Sequence, residues 1–322
     1  MDHAEDGDND NVFVYMGGFV PLHLRDTITH IRIHKSVKII QTFGAFLECG
    51  RLVSIEMHDG LEVIGQYAFR GCTSLRGIKL SGVRVIEERA FYECTALEDV
   101  EFGNKLETIG TTAFADTALR RIKLLKVMVI GDFAFANCQK LTEVELSEDL
   151  ETIGYWAFSN CPSLRRIAMP LKDDLFGEGV FDQCGDLSQV DIIGGIHKTI
   201  SSLLLDSWRS EVKNEIDHIN QLLPNTDSFD KTAAIRRWMV TVMRRITHYK
   251  SEHYTLLKEF TTLLELALWK AKLDESQDER DLGRDQPAKK AKIDMKAARQ
   301  EQRITSGANI VIKNVLPFLK LE

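Results

Sequence analysis

Leu141–Cys161 reads LTEVELSEDLETIGYWAFSNC, and Leu75–Cys94 reads LRGIKLSGVRVIEERAFYEC. Both follow one skeleton, Leu-x-x-(Ile/Val)-x-Leu, then an Ile, then Ala-Phe-x-x-Cys. Moving outward, the last element recurs at Ala45-Phe46…Cys49, Ala68-Phe69…Cys72, Ala90-Phe91…Cys94, Ala134-Phe135…Cys138 and Ala157-Phe158…Cys161. Ala113-Phe114…Thr117 and Val180-Phe181…Cys184 are variants, and successive Phe residues are 21 to 23 positions apart. A fixed period of this size marks a solenoid, in which each unit buries its apolar side against its neighbours. The Ile-x-Leu alternation has the period of a strand with one buried face. Stacked units then pair these strands in parallel, about 4.8 Å apart. Gly65, Gly110, Gly131 and Gly154 follow the second apolar pair, where glycine is expected to allow a bend.

The pattern resembles the leucine-rich repeats of the BspA-like class, over roughly Leu24 to Ile193. The resemblance implies an α/β-type solenoid, curved and right-handed, with a parallel β-sheet on its concave side. Proteins of this class are generally interaction modules or adhesins, many of them exported, and no catalytic motif accompanies the repeat.

The six cysteines, Cys49, Cys72, Cys94, Cys138, Cys161 and Cys184, occupy one repeat position. They are expected to form a buried column of small apolar groups. A straight column cannot converge four ligands on a zinc ion. Disulfides between adjacent coils are sterically allowed, and a reducing compartment would keep the thiols free. Thr117 at the same position points to size rather than sulfur chemistry.

The residue between the two apolar strand positions is expected to face out of the concave sheet. Down the units it is Arg32, Glu56, Lys79, Glu101, Lys123, Glu145, Ala168 and Asp191, and the first six alternate in sign. Two residues earlier, Asp99, Arg121, Glu143 and Arg166 alternate as well. Opposite charges at equivalent positions of neighbouring strands favour pairing. The row therefore reads as a self-neutralising ladder that holds register, and also as a docking groove for a protein or peptide of mixed charge.

After Gly194-Gly195 the period becomes helical. One helix carries Leu204, Trp208, Val212, Ile216, Ile219 and Leu223 and ends at Pro224. A second starts near Asp230 with Ile235, Trp238, Met239, Val242, Ile246 and Tyr249, and a third carries Leu256, Phe260, Leu263, Leu264 and Ala267. With one Trp each (Trp208, Trp238, Trp269), these read as a small α-helical bundle, with a break near Lys250-Ser251. The same residues keep heptad spacing, so one long helix, or a coiled coil across a dimer, is the alternative. The expected organisation is an acidic tail at 1–20, the solenoid at 21–195, a helical domain at 196–273, a polar linker at 274–290 and a helix with an apolar end at 291–322.

The 322 residues carry a net charge of −7, with 44% apolar and 28% charged residues. Residues 1–195 hold 19 Lys/Arg against 30 Asp/Glu, residues 196–275 hold 12 against 11, and residues 276–322 hold 10 against 7. An acidic solenoid opposes binding to phosphate backbones. That option is left to the C-terminal part, through Arg236-Arg237, Arg244-Arg245 and a short basic run at Lys289, Lys290 and Lys292 that weakly matches a nuclear-import signal. The N-terminus has no secretory leader pattern, so an intracellular, cytoplasmic protein is expected. No phosphate loop, nucleophile elbow, Cys-x-x-Cys or helical His pair is present, so no catalytic, cofactor or metal residue is assigned. The reading is a non-catalytic interaction scaffold with a helical capping or recruitment domain. The alternative is a nuclear or nucleic-acid-associated protein acting through its basic helical part.

Overall fold

A computed structural model describes residues 12–40, 43–172, 174–193 and 206–281. The chain divides into two compact units, Met1–Lys198 with Ser210–Met243, and Thr199–Arg209 with Arg244–Glu322. The first is a parallel β-solenoid of about seven turns together with the helical residues that follow it; helices also make up the described part of the second.

Among the described residues six coils contribute both a strand to a wide ladder and a two-residue strand to a narrow one. The wide ladder comprises β1 (Val12–Tyr15), β2 (His30–Ile33), β4 (Ser54–Glu56), β6 (Gly77–Leu80), β8 (Asp99–Phe102), β10 (Arg121–Lys123), β12 (Glu143–Glu145), β14 (Arg166–Pro170) and β15 (Gln189–Ile193). Its hydrogen bonding is interrupted twice, giving the groups β1-β2-β4, β6-β8 and β10-β12-β14-β15. The narrow ladder runs unbroken through β3 (Ile39–Ile40), β5 (Val63–Ile64), β7 (Val85–Ile86), β9 (Thr108–Ile109), β11 (Val129–Ile130) and β13 (Thr152–Ile153). A short helix, α1 (Leu22–Arg25), lies between β1 and β2.

The core is a column of rings. Phe46, Phe69, Phe91, Phe114, Phe135, Phe158 and Phe181 are fully buried and stack with centroids 5.0 to 6.1 Å apart. Tyr15 closes the first end, 4.7 Å from Phe46. A third set of backbone bonds spaces the coils at the Ala-Phe turn: Phe91 N–H donates to Ala113 O, Phe114 to Ala134 O and Phe135 to Ala157 O, each at 2.8 Å.

Two residues of every turn sit in the left-handed region, directly before Ala-Phe and two residues after Phe. The first column includes Tyr67, Arg89, Thr112, Phe133 and Trp156, and the second Glu48, Glu93, Asp116, Asn137, Asn160 and Gln183. Such residues seldom adopt positive φ. Apart from Gln183, whose N–H meets Ser228 O, these N–H groups are aimed at the next coil: Tyr67 at Glu88 O, Phe133 at Tyr155 O, Glu93 at Ala115 O and Asn137 at Ser159 O. The bonds between coils, not local preference, hold this conformation.

Glycine has a different role from the expected bend. Gly110, Gly131 and Gly154 are absent from the left-handed set, but a Cβ at Gly131 would lie 2.6 Å from Thr111 N, and one at Gly154 would lie 2.5 Å from Asp132 N. These glycines let one coil approach the backbone of the previous coil.

Two further helices follow: α2 (Asp206–Leu222), closed by a 3-10 turn at Leu223–Asn225, and α3 (Lys231–Asp281). The expected break at Lys250-Ser251 is absent, because no Pro or Gly interrupts the heptad there and a lone Ser does not end a helix. Helix α3 also continues to Asp281, into the segment read as linker. Of the three expected bundle anchors, Trp238 is buried and donates to Glu215 O at 2.8 Å, whereas Trp269 is 69% exposed. The Trp208 side chain, the acidic start, Lys289–Lys292 and the apolar end segment lie outside the described residues.

Candidate functional site: a charged sheet face

The wide ladder presents the alternating residues on its outer face. Register places Arg32 opposite Glu56, Lys79 opposite Glu101, and Lys123 opposite Glu145. Each couple forms an ion pair, Lys79–Glu101 at 2.9 Å and Lys123–Glu145 at 3.0 Å. In the second row Arg121 pairs with Glu143 at 3.8 Å, and Arg166 reaches diagonally to Asp191 at 2.6 Å. Exposure of these side chains runs from 31 to 78%. Solvent screens such pairs, each contributing about 0–1 kcal/mol.

The row is a series of closed couples rather than a continuous ladder. The interruptions fall between β4 and β6 and between β8 and β10. They separate Glu56 from Lys79 and Glu101 from Lys123, and among the described residues no ion pair joins Glu56 to Lys79 or Glu101 to Lys123; the second gap is crossed beside the row, where Glu98 pairs with Arg120 and Lys140. At β14 the alternation ends, since Ala168 and its neighbour Met169 are both 1% exposed.

The first gap carries a depression of about 680 Å³, lined by Ser54, Glu56, Gly77, Lys79, Asp99 and Glu101 among others. Gly77 occupies a strand position where neighbouring coils place Ser54 and Asp99, so the sheet surface is bare there. Lys79 is the one cation among three carboxylates in this set.

Further ion pairs lie outside the two strand rows. Arg84 grips Glu107 with both Nε and Nη2, at 3.0 to 3.2 Å, and Lys126 pairs with Asp149 at 2.7 Å. Glu98 takes Lys140 at 2.9 Å and Arg120 at 3.2 Å, and these cations hold its carboxyl below the usual range. On the turn side, Phe133 stacks on Trp156 at 5.2 Å, and Phe43 lies 4.6 Å from Tyr67.

All six cysteines are buried and free. Five of the thiols donate to a Phe carbonyl one coil back: Cys72 to Phe46, Cys94 to Phe69, Cys138 to Phe114, Cys161 to Phe135 and Cys184 to Phe158, at 3.1 to 3.4 Å. Thr117 Oγ1 donates to Phe114 O at 2.8 Å. Small size is accompanied by hydrogen bonding at six of the seven positions, the five cysteines using the Phe carbonyl one coil back and Thr117 the Phe carbonyl of its own coil. Burial pushes the Cys49 thiol up to about 11 and Cys94 to about 12. Because the neutral thiol is favoured in the folded state, this stabilisation is present below the ordinary value of 9.0 and declines between there and about 12. Native protein at neutral pH is expected to leave these thiols unreacted with a thiol-specific chromophore while denatured protein reacts fully; prompt native reaction refutes the burial of the column. Among the described residues no group of three or more His, Cys, Asp or Glu is arranged to hold a metal ion.

Sequence reasoning missed the residues that meet the last coil. Phe181 N–H, which has no further coil to bond, donates to Thr232 Oγ1 at 2.9 Å, and Gln183 N–H to Ser228 O at 3.0 Å. Lys231 Nζ donates to Gly185 O and Leu187 O, both at 2.7 Å, and desolvation lowers its pKa. The Asn220 amide accepts from Val190 N–H and donates to Val190 O, as a neighbouring strand would. In the sequence, Asp230-Lys231-Thr232 signalled only a helix start.

Stacked parallel strands, a Phe column and a repeat of 21 to 23 residues define a leucine-rich-repeat solenoid. The family described as BspA type leucine rich repeat region matches residues 24–130 and 124–213 with six copies, and the chain belongs to that family. Among solved structures, a leucine-rich repeat protein from Bacteroides ovatus is 24% identical, covering 52% of this chain and 49% of its own, with a TM-score of 0.43. This chain thus spans about half the length of that protein. The T. pallidum leucine-rich repeat protein TpLRR is 25% identical over 63% of this chain and 82% of its own, also with a TM-score of 0.43. The pneumococcal vaccine antigen PcpA is 20% identical over 56% and 65%, with a TM-score of 0.29. No curated protein matches the chain. Among the described residues no helix is long and apolar enough to cross a membrane.

Proposed function

We propose that this chain is a non-catalytic protein-interaction scaffold whose charged sheet face docks a polypeptide of mixed charge. The observation that carries the reading is the broken row of exposed couples, Arg32–Glu56, Lys79–Glu101 and Lys123–Glu145. A continuous ladder would satisfy itself from end to end. Separate couples with a bare stretch at Gly77 leave positions where a partner's charges add to the pattern. Asp99 and Glu101 beside that stretch favour a Lys or Arg from the partner. Electrostatic matching of this kind sets specificity and encounter rate more than raw affinity. In the same proposal, Asn220, Ser228, Lys231 and Thr232 cap the solenoid, occupying backbone groups that a further coil would take. The proposed compartment is intracellular.

Two variants separate docking from register. Exchanging one couple, Lys79→Glu with Glu101→Lys, keeps the ion pair and inverts the face; it is expected to fold normally and to lose the proteins captured by the full-length wild type. Reversing Glu101 and Glu145 to Lys places like charges beside Lys79 and Lys123, and is expected to lower stability by about 0.2–1 kcal/mol per site. Retention of every captured protein by the exchanged variant refutes docking at this face. Unchanged denaturant unfolding of the reversed variant refutes the register role.

A further inference from the structure

The residue directly before Ala-Phe forms a column down the turn side: Tyr67, Arg89, Thr112, Phe133 and Trp156, each with φ between 53 and 58°. None of them belongs to either strand ladder. Four carry flat side chains, and these stack in couples. The Arg89 guanidinium lies over the Tyr67 ring, 5.5 Å from its centroid, and donates to the Tyr67 hydroxyl. Phe133 stacks on Trp156 at 5.2 Å. Thr112 stands between the couples, and its short side chain offers no flat face to either. Phe133, with one stacked neighbour among the described residues, stays 40% exposed, and the Arg89 side chain 42%.

Local preference does not explain Thr112, since a β-branched side chain is among the poorest choices for the left-handed region. Spacing and charge indicate what fits beside it. The core rings of the same three coils, Phe91, Phe114 and Phe135, lie 5.0 and 5.4 Å apart. Arg89 and Phe133 are therefore anchored two coil spacings, about 10 Å, apart. One ring between them lies about 5 Å from each, within the range at which aromatic pairs stack and a cation is attracted to a ring face. A lysine or arginine there would face the Arg89 charge, and an aliphatic chain would gain neither interaction. An aromatic ring meets both sides.

We propose that the Thr112 position is a slot for one aromatic side chain of a polypeptide partner, held between the Arg89 guanidinium and the Phe133 ring. Aromatic anchors of this kind carry much of the energy of protein interfaces. The inference is independent of the sheet face and survives its failure. Full-length protein with isotope-labelled threonine methyls is titrated by NMR with the end-blocked peptide Gly-Ser-Trp-Ser-Gly, and with the same peptide carrying Leu or Arg in place of Trp. The Trp peptide is expected to shift the Thr112 methyl saturably and further than any other threonine methyl, and the Leu and Arg peptides to leave it in place. Thr112→Tyr supplies the ring from the chain itself. That variant is expected to unfold at a higher temperature than the wild type and to abolish saturation transfer from the protein to the indole protons of the peptide. No shift at Thr112 up to the solubility of the Trp peptide, an equal shift with the Leu or Arg peptide, indole saturation retained in Thr112→Tyr, or a lowered unfolding temperature of that variant overturns the proposal.

Discussion

Phe114→Ala is expected to destabilise the solenoid by about 3–5 kcal/mol, the range for truncating a fully buried aromatic ring. Phe114 is 0% exposed and lies between Phe91 at 5.0 Å and Phe135 at 5.4 Å, with Phe102 edge-on at 5.4 Å. The upper part of the range applies because the cavity cannot close. Collapse would require neighbouring coils to approach, and their spacing is fixed beside the ring by Phe91 N–H to Ala113 O and Phe114 N–H to Ala134 O, both 2.8 Å. Each ring also contacts the units on either side, so one truncation weakens two interfaces of a nearest-neighbour array. Urea unfolding followed by circular dichroism measures the change. A loss below about 1 kcal/mol, the level of a typical surface substitution or less than a single core methylene pair, would mean that the Phe column is not the core.

The same column shows what a sequence can and cannot disclose in this fold. The period, the parallel strands and the buried thiols follow from spacing, because every coil must present equivalent groups to its neighbours. Contacts specific to one coil do not follow. Tyr67, Phe133 and Trp156 adopt positive φ, against their intrinsic preference, because Glu88 O, Tyr155 O and Glu178 O of the next coil each receive their N–H. The thiol-to-carbonyl bonds were hidden for a similar reason: a repeated Cys reads as a small apolar residue until the Phe carbonyl one coil back is located. On the charged face, the alternation of sign was legible at Arg32, Glu56, Lys79 and Glu101. Which neighbours actually pair was not, since that depends on where the ladder opens, at β4–β6 and β8–β10. Helix α3 erred in the opposite direction. The break expected near Lys250-Ser251 does not form, because the uninterrupted heptad around it is the stronger signal.

Lys231→Met is expected to loosen the last coil by about 2–6 kcal/mol. The side chain is 1% exposed, and its ammonium serves two carbonyls, Gly185 O and Leu187 O, at 2.7 Å. Met fills similar volume but donates nothing, and each buried acceptor left without a partner costs about 1–3 kcal/mol. The loss is local in a solenoid, since each coil is bound only to its neighbours. Hydrogen exchange of Phe181 to Val190 is therefore expected to accelerate by about one to four powers of ten, at about 1.4 kcal/mol per power, while Leu52 to Ile64 keep their protection. Thr232→Val, which leaves Phe181 N–H without its acceptor and removes the Thr232 Oγ1 donation to Asp182 Oδ1, is expected to accelerate the same stretch by less, because half-buried Asp182 can turn to water and only one fully buried group is left unpaired. Equal acceleration along the whole solenoid would assign Lys231 to global folding. No acceleration at all would mean that the helices leave the end of the solenoid as stable without these bonds as with them.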